Sequence, residues 1–280
     1  MCELLAISSQ QPARLTFPLT TMVAHSSDDN HLLDGWGIAY YQGKDIALIR
    51  EPLAACNSAL MQCLEKQSTE TTLAICHLRH ATQGDISLAN TAPFARELAG
   101  RMHAFAHNGH FRGMEKTGYP ATGSYQSIGE TDSEQAFCTL LGRMKELWQS
   151  TDGTPALVSR MNVIAAFASE LRTLGPANFL YADSDTLFAH GDRRLNPETG
   201  KVTAPGLYLS HCVCHTGKNI DVSKNTFQTN SDALEAILVA STPLNDGEWQ
   251  PFAEGELVAI RDGAVVESIL TTGGAQRAES

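Results

Sequence analysis

Met1-Cys2-Glu3-Leu4-Leu5-Ala6-Ile7-Ser8, residues 1 to 8, govern how the rest of the chain is read. Glu3 to Ser8 is short and mostly apolar. With no charged n-region before it, the run fits a buried strand rather than a secretory leader. Directly ahead of that strand stands a cysteine. If Met1 is removed, Cys2 carries both a thiol and a free α-amine. A free thiol, with a pKa of about 8.5, is mostly protonated at neutral pH, whereas an α-amine of about 7.7–8.0 can accept its proton. Nucleophile and base then belong to one residue, and no histidine is required. A small penultimate residue suits methionine removal. The plain alternative is that Cys2 is simply the second residue of a chain that keeps Met1, and on Cys2 alone that alternative is preferred.

Outward from this strand, Gly35–Tyr41 and Ile46–Arg50 flank a Gln-Gly-Lys-Asp turn and read as a hairpin. Cys56–Lys66 suits a helix starting at Asn57 or Ser58, and Thr72–His77 and Met102–His107 are strands. The middle is helical. Phe137, Leu140, Leu141, Met144 and Leu147 recur at helical spacing in Ser133–Leu147, behind a Thr131-x-x-Glu134 capping signature. Pro155–Leu174 is a second helix, ended by Gly175-Pro176. Strands return at Asn178–Ala182, Thr186–Ala189, Leu207–Val213, Ala236–Ala240, Glu256–Ile260 and Ala264–Ile269, with hairpin-like turns at Asp183-Ser184-Asp185 and Arg261-Asp262-Gly263. Strands, two helices and strands again make an α+β fold of two packed sheets with helices outside. Residues 1–270 are expected to form one domain, and 271–280 a polar tail.

The 280 residues are 42% hydrophobic, enough for a sizeable core. The formal net charge is −11 and there is no Lys/Arg run, which argues against a nucleic-acid partner. An anionic small molecule needs only one well-placed arginine. No apolar run reaches the length of a membrane span, so the expected place is the cytoplasm. Seven cysteines at irregular spacing do not make a disulfide framework.

Three further segments carry possible chemistry, each with an ordinary reading beside it. His77-Leu-Arg-His-Ala-Thr-Gln-Gly84 ends a strand, and the planar fork of Arg79 suits a carboxylate, although a lone arginine is more often ion-paired on a surface. Asn108-Gly109 follows another strand. An Asn amide beside a Gly N–H can form an oxyanion hole, but Asn-Gly is more often a turn. Thr131-Asp132-Ser133-Glu134 opens a helix. Asp132 can hold an ammonium or simply be a first-turn acid.

Taken in order, Cys2, Asp34-Gly-Trp-Gly37, Arg79-x-Ala-Thr-x-Gly84, Asn90-x-x-Pro93-Phe94, His107-Asn-Gly109 and Thr131-Asp-Ser-Glu134 resemble the glutaminase domain of class II glutamine amidotransferases, which are N-terminal-nucleophile hydrolases. The resemblance covers roughly the whole chain. Ala240-Ser-Thr-Pro-Leu244 and Trp249–Leu257 look like the stand-alone YafJ-type and ergothioneine-pathway amidohydrolase branch. It implies a four-layer αββα sandwich, with Cys2 as nucleophile and its own amine as base, and Asn108 and Gly109 as oxyanion donors. Arg79 would sit on the substrate α-carboxylate and Asp132 on the α-ammonium, with His80 and Thr82 also against the substrate. No cofactor or metal is implied. His80 stands where larger relatives carry Trp, and Gln83 where synthase relatives often have His. Both departures fall in loops over the bound glutamine.

Other groupings are weaker. His211-Cys-Val-Cys-His215 alternates its side chains across a strand, so the four ligands do not converge easily, and a buried strand is the better reading. The same holds for His103, His107 and His110. His25 and His31 fall in a polar loop near the expected pocket entrance. Trp36, between two glycines, is expected to pack its backbone tightly near the N-terminal strand, and Trp148 and Trp249 are packing residues. Nothing after residue 150 resembles a synthase or phosphosugar domain. The small-molecule partner is thus a γ-glutamyl substrate such as glutamine, with ammonia passing to a partner protein or a γ-glutamyl amide or peptide hydrolysed for its own sake, the latter slightly preferred. A non-catalytic module that binds glutamate-like ligands is the alternative from another class.

Overall fold

The computed structural model describes residues 2–16, 34–81, 84–114, 124–196, 199–214, 219–221 and 234–271. The first sheet contains β1 (Glu3–Thr16), β2 (Gly35–Gln42), β3 (Asp45–Glu51) and β4 (Glu70–Arg79). The second begins with β5 (Phe94–Leu98) and β6 (Arg101–Asn108) and continues with β7 (Asn178–Ala182) and β8 (Leu187–Gly191). A small ribbon follows, β9 (Arg194–Leu195) with β10 (Val202–Thr203). Then β11 (Tyr208–Cys214), β12 (Asn219–Asp221), β13 (Leu234–Ala240) and β14 (Gln250–Pro251) rejoin the first sheet. The second sheet ends with β15 (Glu256–Arg261) and β16 (Ala264–Leu270). The first sheet runs β14-β11-β13-β1-β4-β2-β3, with β12 also on β1, and the second runs β16-β15-β8-β7-β6-β5.

The alternation of side chains along β1 and β4 explains the layering. Leu4, Ala6, Leu73 and Ile75 face the second sheet and join the larger core. Leu5, Ile7, Ala74, Cys76 and Leu78 point the other way, into a second core with Trp36, Ile38 and Tyr40. Met61 and Leu64 of helix α1 (Ala59–Lys66) cover that outer face. A strand covered on both sides has no polar face, which is why residues 4 to 7 read as a continuous apolar run. Beyond the second sheet lie α2 (Asp132–Gln149) and α3 (Leu157–Leu174), contributing Phe137, Leu140, Leu141, Met144, Ile164, Phe167 and Leu171 to the larger core. Helix, sheet, sheet and helices make the expected four-layer αββα sandwich.

Most expected elements are present with shifted ends. Helix α1 starts after Ser58, whose hydroxyl accepts the Met61 N–H. Thr131 caps α2 by accepting the Glu134 N–H at 3.2 Å. Only half of the capping box forms. The Glu134 carboxylate accepts from Ile128 and Gly129 N–H groups and pairs with Arg96. Strand β5 was not expected, because Arg96 and Glu97 leave only Phe94 and Leu98 as apolar markers. The signal for it was the Ala99-Gly100 turn, where both residues have positive φ. Trp36 is fully buried, but β2 lies between β4 and β3, not beside β1. The tight packing is at Gly37, where a Cβ would meet the Ala92 carbonyl at 2.4 Å. His211 corrects another expectation: it is exposed on β11 rather than buried. Thr271 is buried and accepts and donates hydrogen bonds with Arg172 and Gly255; the tail from 272 onward lies outside the described residues, as do His25, His31 and His215.

Four described histidines are enclosed, and burial lowers the pKa of His107 as it does those of the other three. Burial pushes His77 down to about 3, and His103 and His190 down to about 4, from an ordinary value of 6.5. Between these values and 6.5 the unfolded chain binds protons that the folded chain does not, so stability rises with pH across that window. The urea midpoint is expected to be insensitive to these groups above pH 6.5 and to fall progressively from pH 6.5 towards pH 4. A His103→Phe variant, compared over pH 5 to 6.5, should lose its share of that slope, with the other three enclosed histidines keeping theirs.

Candidate active site

The ends of three strands define the site. Cys2 immediately precedes β1, which pairs with β4 so that Glu3 faces Leu78 and Leu4 faces His77. Continuing this register sets Cys2 beside Arg79. The Cys2 thiol is bracketed by the backbone of the next residue: it accepts the His80 N–H at 3.2 Å and donates to the His80 carbonyl at 3.4 Å. Burial raises the thiol pKa, while the His80 N–H and the Arg79 guanidinium draw it back down. The net shift is upward, so a proton acceptor is needed before the sulfur can attack.

Asn108, at the end of β6, donates its carboxamide N–H to the Cys2 carbonyl at 2.6 Å, with a longer contact of 3.5 Å to the Ser241 hydroxyl. The next residue is Gly109, where a Cβ would lie 2.1 Å from the Pro176 carbonyl, so no other residue fits there. The following segment is held to α2 through Asp132, whose carboxylate accepts the Phe111 N–H at 2.7 Å and lies 3.3 Å from His110 Nδ1. The other Asp132 oxygen accepts its own helix's Ser133 N–H.

A single pocket is lined by Cys2, Arg79, His80, Gly109 and Asp132, with His77 and His107 among its other walls. The Arg79 guanidinium donates to the carbonyls of Gly84 and Asp85, and burial lowers its pKa, opposed by Cys2 and Asp34. A cation and a carboxylate in one pocket suit an amino-acid head group. Thr82 and Gln83 lie outside the described residues. His80 lines the pocket with its ring 3.8 Å from Asp34, and its backbone makes the contacts to sulfur.

The supporting motifs have local reasons. Asp34 accepts the Ala81 N–H at 2.7 Å and donates its own N–H to the Arg79 carbonyl, fixing the chain that leaves β4. Asn90 ties two loops together, donating to the Asp85 carbonyl and accepting the Glu130 N–H. Sequence reasoning missed the anchor of the N-terminal strand. Ser241 accepts the Leu4 N–H at 3.0 Å and donates its own N–H to the Leu4 carbonyl. Arg194 donates to the Ser241 carbonyl and pairs with buried Glu3. The only signal for this arrangement was the late Ala240-Ser-Thr-Pro-Leu244 segment. Among the described residues no group of three His, Cys, Asp or Glu side chains is arranged to hold a metal, and no helix is long and apolar enough to cross a membrane.

The family described as glutamine amidotransferases class-II matches residues 1–280. The putative glutamine amidotransferase YafJ of Escherichia coli K12 is 34% identical over 259 residues, covering 91% of this chain and 96% of that protein. A crystal structure of a predicted glutamine amidotransferase from Pseudomonas aeruginosa superposes with a TM-score of 0.65 at 26% identity, covering 95% of this chain and all of the other. The glutamine phosphoribosylpyrophosphate amidotransferase of Bacillus subtilis shares the fold, with a TM-score of 0.60 at 19% identity over 97% of this chain and 49% of that one. The chain belongs to the class II glutamine amidotransferases. Its architecture is that of the N-terminal-nucleophile hydrolases, a family of amidohydrolase enzymes.

Replacing Ser241 with Ala leaves the buried Leu4 N–H without its side-chain acceptor. An unsatisfied buried donor costs about 1–3 kcal/mol. Equilibrium urea unfolding of Ser241→Ala should show a loss of that size, with the m-value unchanged.

Proposed function

We propose that the chain, with residues 1–270 as its one domain, hydrolyses a γ-glutamyl amide through Cys2 once Met1 has been removed. What supports the reading is that Cys2, Arg79, Gly109 and Asp132 line one pocket, although they are scattered over 130 positions of sequence. The sulfur hydrogen-bonds the backbone of His80, accepting its N–H and donating to its carbonyl. The amine freed at Cys2 is thus the natural acceptor for its proton.

In this mechanism the substrate α-carboxylate sits on Arg79 and its α-ammonium near Asp132, with His80 and Thr82 against the same ligand. The Cys2 amine takes the thiol proton, and the sulfur forms a bond to the γ-carbonyl carbon. The oxygen becomes an oxyanion, received by the Asn108 amide and the Gly109 N–H. Of the two contacts Asn108 now makes, the 3.5 Å one to Ser241 is the easier to exchange. Collapse breaks the C–N bond, and the leaving amine carries away the proton held by the N-terminal ammonium. Water then adds to the thioester, giving its proton to the amine, and thiolate departure releases the γ-carboxylate.

Ammonia release to water accounts for the reaction with this chain alone, and that form is preferred. Transfer to an acceptor protein uses the same first half-reaction. A non-catalytic ligand-binding module is the contrasting reading, and retention of Met1 in cells would favour it. A panel of γ-glutamyl amides and peptides, incubated with protein whose N-terminal mass shows Met1 removed, tests the proposal by released glutamate. Cys2→Ala should reduce release to background while ligand binding persists. Wild-type turnover by that variant rejects the mechanism. Arg79→Lys exchanges a bidentate fork for a point charge; kcat/KM should fall by about tenfold to a hundredfold, the scale of a lost charged hydrogen bond, with most of the change in KM.

A further inference from the structure

The tautomer of one enclosed histidine is fixed by its surroundings. His107, on β6, has Nε2 3.1 Å from the Pro176 carbonyl and Nδ1 2.9 Å from the Ser133 hydroxyl. A carbonyl oxygen only accepts, so Nε2 carries the ring hydrogen. Burial lowers the His107 pKa, which keeps the ring neutral and Nδ1 without a hydrogen. A bare ring nitrogen only accepts. The Ser133 hydroxyl therefore donates its one hydrogen to Nδ1.

The same hydroxyl oxygen lies 3.3 Å from Asp132 Oδ1, and it cannot donate to both groups. Donation to Asp132 would leave Ser133 Oγ and His107 Nδ1 facing each other at 2.9 Å with no hydrogen between them. Asp132 Oδ1 already accepts the Ser133 N–H at 2.7 Å. The result is a pair of acceptors, Ser133 Oγ and Asp132 Oδ1, side by side with no shared hydrogen. Ser133 is half-buried, and both residues line the pocket that holds Cys2 and Arg79. Two neighbouring acceptors, one of them ionised, repel each other while the pocket is empty. A primary ammonium carries three N–H donors and a positive charge, so it can donate to both and remove the repulsion.

We infer that Ser133 is a further substrate-binding residue, accepting a hydrogen bond from the α-ammonium beside Asp132, and that His107 is its positioning residue, turning the hydroxyl hydrogen away from the ligand. The inference rests on the γ-glutamyl reading of the pocket and adds a demand on the substrate: its α-nitrogen must be an unmodified, charged amine. A γ-glutamyl amide acylated on that nitrogen offers one N–H and no charge to two acceptors, and is held poorly.

The test pairs each substrate with its counterpart lacking the α-amine: L-glutamine with glutaramate, and γ-glutamylglycine with glutarylglycine. Initial rates of ammonia or glycine release by protein free of Met1 give kcat/KM for all four. Ser133→Ala should lower kcat/KM for the two α-amino substrates about tenfold, the scale of one hydrogen bond to a charged group, with most of the change in KM. The two counterparts should move by less than twofold. His107→Phe removes the acceptor behind the hydroxyl and should narrow the same preference, whereas a merely structural loss would lower all four substrates alike. Ser133→Thr keeps the hydroxyl and should retain most of the preference. An unchanged ratio of α-amino to desamino substrate in folded Ser133→Ala or His107→Phe protein overturns the inference and leaves the hydrolase reading standing. If processed wild-type protein cleaves none of the four, the hydrolase reading fails and the inference with it.

Discussion

The site depends on the fixation of β1 in the middle of a sheet. The strand is hydrogen-bonded on both edges, by β4 and β13, and covered by apolar side chains on both faces. Its first residues are held further by the Glu3–Arg194 pair and by Ser241 on the Leu4 backbone. A terminal residue ordinarily frays. Here Cys2 is one residue outside a strand paired on both edges and covered on both faces, and that is what allows its sulfur to sit in a defined hydrogen-bonding position against His80.

The two walls of the pocket come from different sheets. The first sheet contributes Cys2, His77 and Arg79 from β1 and β4. The second contributes Gly109 from the end of β6, and α2 contributes Asp132. The Cys2 carbonyl bond to Asn108 joins the two walls directly. The sheet–sheet interface therefore sets both the core packing and the separation of the chemical groups, which ties the geometry of the site to the integrity of the larger core.

Much of this was legible in the sequence. The hairpin turn between β2 and β3, the apolar run of β4 and the capped periodic helix after Thr131 specified their elements locally. Strand β5 was not legible because its pairing with β6 is supplied by the turn and by burial of only two side chains, Phe94 and Leu98. The residues of the pocket were individually ambiguous and became informative through their order along the chain. Ser241, Arg194 and Glu3 escaped notice because their interaction spans nearly the whole sequence and leaves no periodicity.

The pairing of β1 with β13 has a temporal side. Leu5 lies opposite Ala240, so one flank of the first strand cannot close until most of the polypeptide exists. At about 5–20 residues per second of synthesis, the leading end stays uncovered for about 10–50 s after it emerges. During that interval the edge of β1 that β13 will cover stays open. The order of the strands thus delays closure of this edge until late in synthesis, a delay that an edge location for the same strand, or an early hairpin partner on both sides, would not impose.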